Sequence, residues 1–162
     1  MPVLVNMGGS LNDNALTSAA KYKVLEGITA AGGEAEFVHL NGRAVNRCLS
    51  RGNGWGICGA EGRSVLSDDF ADIHEKLVVA KGIVWITPAY WHDLAENLKC
   101  FLDRLRRCET ARNHFLKGKE YLLAACAGGT GLGVIQRLHN LEEILNHMWM
   151  IVVEHLPVIR FI

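Results

Sequence analysis

Gly82-Ile83-Val84-Trp85-Ile86-Thr87, followed at once by Pro88-Ala89-Tyr90-Trp91-His92, governs how the rest of the chain is understood. An apolar run without polar alternation is what a strand covered on both faces requires, as at the centre of a parallel sheet. Pro88 stops the run. Two adjacent aromatics then stand at a post-strand turn, where core aromatics seldom sit. Tyr90 and Trp91 read either as cover for a flat ligand or as cover for the core.

Outward from this strand the same grammar repeats. Downstream, a helix runs from about Asp93 with Leu94, Leu98, Phe101, Leu102 and Leu105 as its stripe. A strand at Glu120 to Cys126, a glycine-rich turn at Ala127 to Gly133, a helix burying Val134, Leu138, Leu141, Leu145 and Met148, and a strand at Met150 to Val153 follow. Upstream, Pro2 to Met7 reads as the first strand. A helix from Leu16 has Ala20, Val24, Ile28 and Ala31 on one face, and Gly32-Gly33 ends it. Glu34 to Leu40 is the second strand, with Ala35, Phe37 and Val38 as its inward candidates. Gly42 to Arg63 shows no period and reads as a long functional loop. Ser67-Asp68-Asp69 then caps a helix with Phe70, Ile73, Leu77 and Val78 on one face. Alternating strands and helices predict an α/β protein with a mostly parallel sheet, organised as one domain over residues 1–162.

Lys and Arg together number 17, as do Asp and Glu, so no charge excess recruits nucleic acid or an anionic membrane. No apolar run spans a bilayer and the first residues lack a signal-peptide pattern, which predicts a cytoplasmic protein. Arg104, Arg106, Arg107 and Arg112, followed by Lys117 and Lys119, read as a solvated helix end, with phosphate binding as the alternative. The five cysteines, Cys48, Cys58, Cys100, Cys108 and Cys126, are odd in number and scattered, so they read as thiols rather than a disulfide framework.

Ligands of open α/β sheets bind outside the carboxyl ends of the strands, and three such ends here carry unusual sequence. Gly8 to Ser18 combines glycines with Ser10, Asn12, Asn14 and Thr17 ahead of a helix, which suits a monophosphate held by neutral donors. Read blandly, it is a turn with Asn14 or Thr17 as the helix cap. It is neither a Walker loop nor a G-x-G-x-x-G fingerprint. The second end is Thr87 to His92. The third, Ala127-Gly128-Gly129-Thr130-Gly131-Leu132-Gly133, is nearly free of side chains, so that a ligand can approach its backbone. Its bland reading is a flexible connection.

At these residues the chain resembles the NADPH-dependent FMN reductase and iron–sulfur flavoprotein group of flavodoxin-like proteins. Gly9-Ser10-Leu11-Asn12 and Leu16-Thr17 resemble the group's G-S-P-R-x-x-x-N-[ST], with Leu11, Asn12 and Leu16 in place of Pro, Arg and Asn. Thr87 to His92 and then Asn97-Leu98-Lys99-Cys100-Phe101-Leu102-Asp103-Arg104 resemble S-P-V-Y-[WF]-G and Q-L-K-x-F-[IL]-D-R. The likeness runs in order from about residue 2 to about residue 153. It implies a five-stranded parallel sheet of order 2-1-3-4-5 in a three-layer sandwich, whose last helix is short or missing here. It implies FMN, with NAD(P)H as donor. By position it implies that Ser10 and Thr17 hold the phosphate, that Pro88, Ala89, Tyr90 and Trp91 wrap the ring with His92 nearby, and that Gly128, Gly129, Thr130 and Gly131 border the pyrimidine edge. It also implies dimers or tetramers, with Trp55 a candidate contribution to a neighbour's site. Many relatives carry four cluster cysteines after the second strand. Here only Cys48 and Cys58 stand there, with Arg51 and Gly54 at the middle places, too few ligands for an iron–sulfur cluster.

The expectation is an FMN-dependent oxidoreductase passing electrons from NAD(P)H to a quinone, a flavin or another small acceptor. The flavin carries the hard chemistry, so no acid–base pair need be visible, and only His92 is a candidate. The alternatives are a flavodoxin-type electron carrier, although carriers are often strongly acidic, and a flavin-free scaffold that kept the fold.

Overall fold

The computed structural model describes residues 3–10, 12, 15–53, 56–111 and 113–160. Five strands form one sheet of order β2-β1-β3-β4-β5, every neighbouring pair parallel. They are β1 (Val3–Gly8), β2 (Glu34–His39), β3 (Gly82–Pro88), β4 (Glu120–Gly128) and β5 (Ile151–Arg160). Between them run α1 (Leu16–Ala30), the short α2 (Gly56–Glu61), α3 (Phe70–Val79), α4 (Glu96–Ala111) and α5 (Val134–Asn146). This is the α/β flavodoxin-like arrangement.

Period-two alternation sorts the central strands between the two faces. Trp85, Tyr121 and Leu123 join the core built by α3, α4 and α5. Val84, Ile86, Ala124 and Cys126 turn to the other side, where Leu16, Ala20 and Val24 of α1 pack on them. Every residue of β3 is buried, as its unbroken apolar run requires. The predicted stripes of α4 and α5 are buried throughout.

The α1 face is only partly roofed. A groove of about 860 Å³ opens beside α1, floored by Leu122, Ala124, Val153, Leu156 and Val158. Val153 and Ile151 are more than half exposed. β5 is also longer than the sequence reading had it. It continues through Pro157, which pairs with Ala125, because β5 is an edge strand and a missing N–H on an edge costs little. In β2 the inward residue is Val38; Ala35 is exposed and Phe37 half-buried.

The Gly42–Arg63 segment is not structureless, since it contains α2. Aperiodic glycines hid so short a helix. Arg104 likewise departs from the solvated helix end expected of it. It is buried and donates to Asp68 Oδ2 and Oδ1 at 2.7 and 2.8 Å, to Ser64 Oγ at 2.7 Å and to the Asn46 carbonyl at 3.0 Å. Lys119 is drawn in too, donating to the carbonyls of Leu77, Val78 and Ala80 at the end of α3. Arg112, Asn14, Trp55 and Gly54 lie outside the described residues.

Candidate functional site

Because all strands are parallel, the loops after β1, β3 and β4 leave from one edge. Three loops of unusual composition therefore become neighbours.

The loop after β1 is anchored by the Gly9 amide, which donates to Ile86 O at 3.2 Å. Ser10 is buried, and its hydroxyl accepts from the Asn12 amide at 3.1 Å, folding the chain back in a tight turn. Its carbonyl accepts from His39 Nε2 at 3.0 Å, which places the imidazole proton on that nitrogen. The residue at the N-cap of α1 is Ala15, with no side-chain hydrogen bond to the helix. Thr17 is therefore not the cap. It is buried inside the first turn, and its hydroxyl bonds the Cys126 thiol. Burial pushes that thiol up to about 11, so Cys126 stays protonated and serves as packing. The Ser18 and Ala19 amides close onto the Ala15 carbonyl at 3.0 and 3.2 Å, and the positive end of the helix dipole points toward the β1 loop.

Lys21 was not foreseen here. One turn into α1, it lines a small recess with Ser10, Thr17, Ser18 and His39. Its ammonium lies 4.4 Å from the Phe37 ring centre and 4.2 Å from that of Tyr22. Read along the chain, the loop lacks a cation; in space it has one.

After β3, the Ala89 amide donates to Cys126 O at 2.9 Å. Tyr90 and Asp93 exchange both backbone hydrogen bonds, at 3.1 and 2.8 Å, which makes Trp91 and His92 the two residues of a tight turn. Both have left-handed backbone, φ 48° and 59°, where Asn and Gly are the usual occupants. The turn is pinned at Asp93, whose Oδ1 accepts from the Leu94 amide at 2.7 Å and from Arg137 Nη1 at 2.9 Å. Arg137 itself is buried. The pinning leaves Trp91 standing out, 97 % exposed, with Tyr90 partly exposed beside it.

The loop after β4 supplies the third side. A Cβ on Gly128 or Gly129 would meet nothing within 4 Å, so their backbone faces open space. Gly131 and Gly133 are the opposite case. A Cβ there would lie 2.8 Å from Ile159 and 2.8 Å from His92 Nδ1 respectively, which ties this loop to β5 and to the β3 turn. Thr130 is exposed, its hydroxyl accepting from the Leu132 amide at 3.3 Å.

Asn97 belongs to this edge as well. Its Oδ1 accepts from the Leu98 amide at 2.8 Å, and a Cβ on Gly9 would lie 3.2 Å from that oxygen. Its Nδ2 is buried with no hydrogen-bond partner among the described residues. Asn97 lines a cavity of about 420 Å³ together with Tyr90, Asn41 and Arg43. A buried amide donor of this kind is uncommon. In the sequence Asn97 opens the stretch that resembles Q-L-K-x-F-[IL]-D-R, without a ligand role of its own.

A helix start whose N-cap, Ala15, offers no capping side chain, two open glycine backbones and an exposed aromatic turn fit a flat cofactor ending in a phosphate. Cys48 and Cys58 lie apart from them, in a separate recess lined also by Arg104 and Arg107. Among the described residues no three His, Cys, Asp or Glu side chains converge to hold a metal ion.

The fold defines a flavodoxin-like α/β protein. More particularly, residues 1–160 match the model of the NADPH-dependent FMN reductase family, and the chain belongs to that family. It is accordingly an NAD(P)H-dependent enzyme of the FMN reductase or quinone reductase type, with FMN as its cofactor. The chain is similar to an iron–sulfur flavoprotein of Methanocaldococcus jannaschii, 27% identical over 98% of this chain and 79% of the relative. It is similar to an iron–sulfur flavoprotein of Archaeoglobus fulgidus, 28% identical over 81% of this chain and 64% of the relative. Among solved structures, the NAD(P)H:quinone oxidoreductase of Methanothermobacter marburgensis superposes with TM-score 0.72 at 18% identity, over 94% of this chain and 82% of that one. RosB with a bound 8-demethyl-8-formylriboflavin-5′-phosphate superposes with TM-score 0.78 at 16% identity, over 94% of this chain and 62% of that one. At these identities the structural likeness bears on the fold.

Proposed function

We propose that Ser10, Asn12, Thr17 and the start of α1 hold the FMN phosphate. Asn14, outside the described residues, completes that loop. Pro88, Ala89, Tyr90, Trp91 and His92 flank the ring, and Gly128, Gly129, Thr130 and Gly131 border its pyrimidine edge. The observation that carries this reading is the meeting of three loops at one carboxyl edge around the start of α1. When bound, FMN supplies hydride and electron chemistry. The chain's part is to bind, orient and shield. Gly128 and Gly129 let backbone come close, and the exposed Trp91 covers a ring. Lys21 adds a cation at the phosphate end.

The enzyme passes electrons from NAD(P)H to a small acceptor such as a quinone or a flavin. It acts as one domain over residues 1–162 in the cytoplasm. No helix among the described residues is long and apolar enough to cross a membrane. The open apolar groove beside α1 supports a homodimer or homotetramer, since exposed apolar surface of this kind usually marks a partner surface. The absorption spectrum of the purified protein tests the flavin, and anaerobic mixing with NADPH or NADH tests the donor. Flavin bands that bleach on mixing and return with a quinone are expected. A colourless protein that takes up no FMN would sink the reading.

A further inference from the structure

Cys100 lines both the cavity beside Tyr90 and Asn97 and a second polar cleft. The cleft has a volume of about 470 Å³ and sits among α4, the last turn of α5 and the segment after β2. Its charge is one-sided. Arg47, Lys99, Arg106 and Arg107 line it, with Asp103 as its one carboxylate among the lining residues. Asp103 is already engaged, since Lys99 Nζ lies 2.5 Å from its Oδ1. His147 stands at the rim, and Leu102 and Ile144 supply an apolar floor.

The placement of these cations is built into the fold. Lys99, Asp103, Arg106 and Arg107 recur at helical spacing on one side of α4. Arg47 arrives from 52 positions earlier in sequence than Lys99, and its segment is bolted down just ahead of it. The Asn46 amide donates to Asp68 Oδ2 at 3.0 Å, the Asn46 carbonyl accepts from Arg104 at 3.0 Å, and the Ala44 amide donates to Asp69 at 2.8 Å. A buried ion pair thus carries a third arginine to a cleft that α4 has already made positive. In a chain of zero formal net charge, such a local excess is a specific arrangement.

We propose that this cleft is a binding site for a small phosphate-bearing anion. Guanidinium groups offer forked donors that match phosphate oxygens, and Leu102 with Ile144 offers an apolar seat for a group attached to the phosphate. Two sources share that chemistry: the 2′-phosphate of NADPH, and a free phosphate or phosphorylated metabolite. Arg106 lies nine residues along α4 from Asn97, about 13 Å by helical rise, within the reach of a dinucleotide whose reactive ring sits beside Asn97. Only the first source rests on the flavin reading above.

The test is calorimetric titration of the whole protein, with and without added FMN, using 2′,5′-ADP, pyrophosphate and 5′-AMP at low ionic strength. Binding should weaken as salt rises. The double variant Arg47→Ser, Arg106→Ser should bind at least about tenfold more weakly, as expected for lost charged hydrogen bonds. Arg106→Lys should retain part of the affinity, and Lys23→Ser on the opposite face should leave it unchanged. Circular dichroism and the flavin spectrum of each variant check folding and FMN binding independently. Should 2′,5′-ADP bind best and the double variant raise KM for NADPH but not for NADH, the reductant is the source. Should pyrophosphate bind as well and the NADPH-to-NADH ratio stay fixed, the site serves a free phosphate compound. Absence of binding by all three probes, or equal binding by parent and double variant, overturns the proposal. Anion binding that persists in protein unable to take up FMN upholds the cleft while refuting the flavin reading.

Discussion

Arg104 and Asp68 face each other as a two-armed ion pair, with contacts of 2.7 and 2.8 Å and both side chains almost wholly removed from solvent. Asp68 also accepts from the Phe70 amide at 3.2 Å and from the Asn46 amide at 3.0 Å. One carboxylate therefore joins the entry of α3, the middle of α4 and the segment after β2. Arg104→Met, which strands a buried carboxylate, should lower unfolding free energy by about 3–5 kcal/mol in urea titration. The paired change Arg104→Met, Asp68→Leu should recover a large part of the loss. No recovery would mean that the pair is not the unit of stability.

The same pair sets an acid limit. Burial pushes the Asp68 carboxyl up, but the hydrogen bonds from Arg104 and Asn46 outweigh it and hold the group at about 2, against an ordinary 3.8. A depressed carboxylate stabilises the fold fully above its unfolded pKa and loses that contribution as pH falls toward its folded one. Stability should drop by roughly 1–2 kcal/mol on this account between about pH 4 and pH 2. Asp68→Asn should flatten that portion of the curve. An unchanged pH slope in thermal melts would remove Asp68 as its source.

Two glycines in one loop should behave oppositely. At Gly131 a Cβ collides with Ile159 and φ is 67°, so Gly131→Ala should cost about 1–3 kcal/mol of stability. At Gly128 a Cβ meets open space, so Gly128→Ala should leave the melting temperature nearly unchanged while weakening FMN binding. Equal FMN affinity in parent and Gly128→Ala would place the ring elsewhere.

At the phosphate end, Ser10→Ala and Thr17→Ala should each weaken FMN binding by about 1–3 kcal/mol. Lys21→Met should weaken it further at low salt than at high salt, because the ammonium acts through charge. Fluorescence titration of FMN into apoprotein measures all three. Affinity indifferent to all three changes would move the phosphate away from α1.

The groove beside α1 predicts self-association. Sedimentation at micromolar concentration should give a mass that is a multiple of 17.9 kDa. Val153→Lys, placed on the exposed floor of the groove, should shift the mass toward the monomer with the flavin retained. A parent protein that sediments as a monomer with full activity would reassign the groove.

The sequence by itself determined the order of the five strands and the four long helices, because each carries its own apolar pattern, which the short α2 does not. The unbroken run Gly82 to Thr87 announced a central strand, and the stripes of α4 and α5 announced their buried faces. The three carboxyl-edge loops were also legible, since glycine and proline mark special backbone locally. Tertiary structure decided what depends on distance through space. Lys21 joins Ser10 because α1 folds back over the β1 end. Asn97 comes up against Gly9 across the fold, and Arg47 shares a cleft with Arg106 because Asp68 and Arg104 hold the adjacent Asn46. Arg104 itself passed as a surface charge, since periodicity reports which side of a helix is apolar and is silent on a charged residue buried with its partner. Hydrophobic spacing is a local signal, whereas charge pairing and cavity walls are made by residues far apart in the chain. Their positions follow from the packing of the whole molecule.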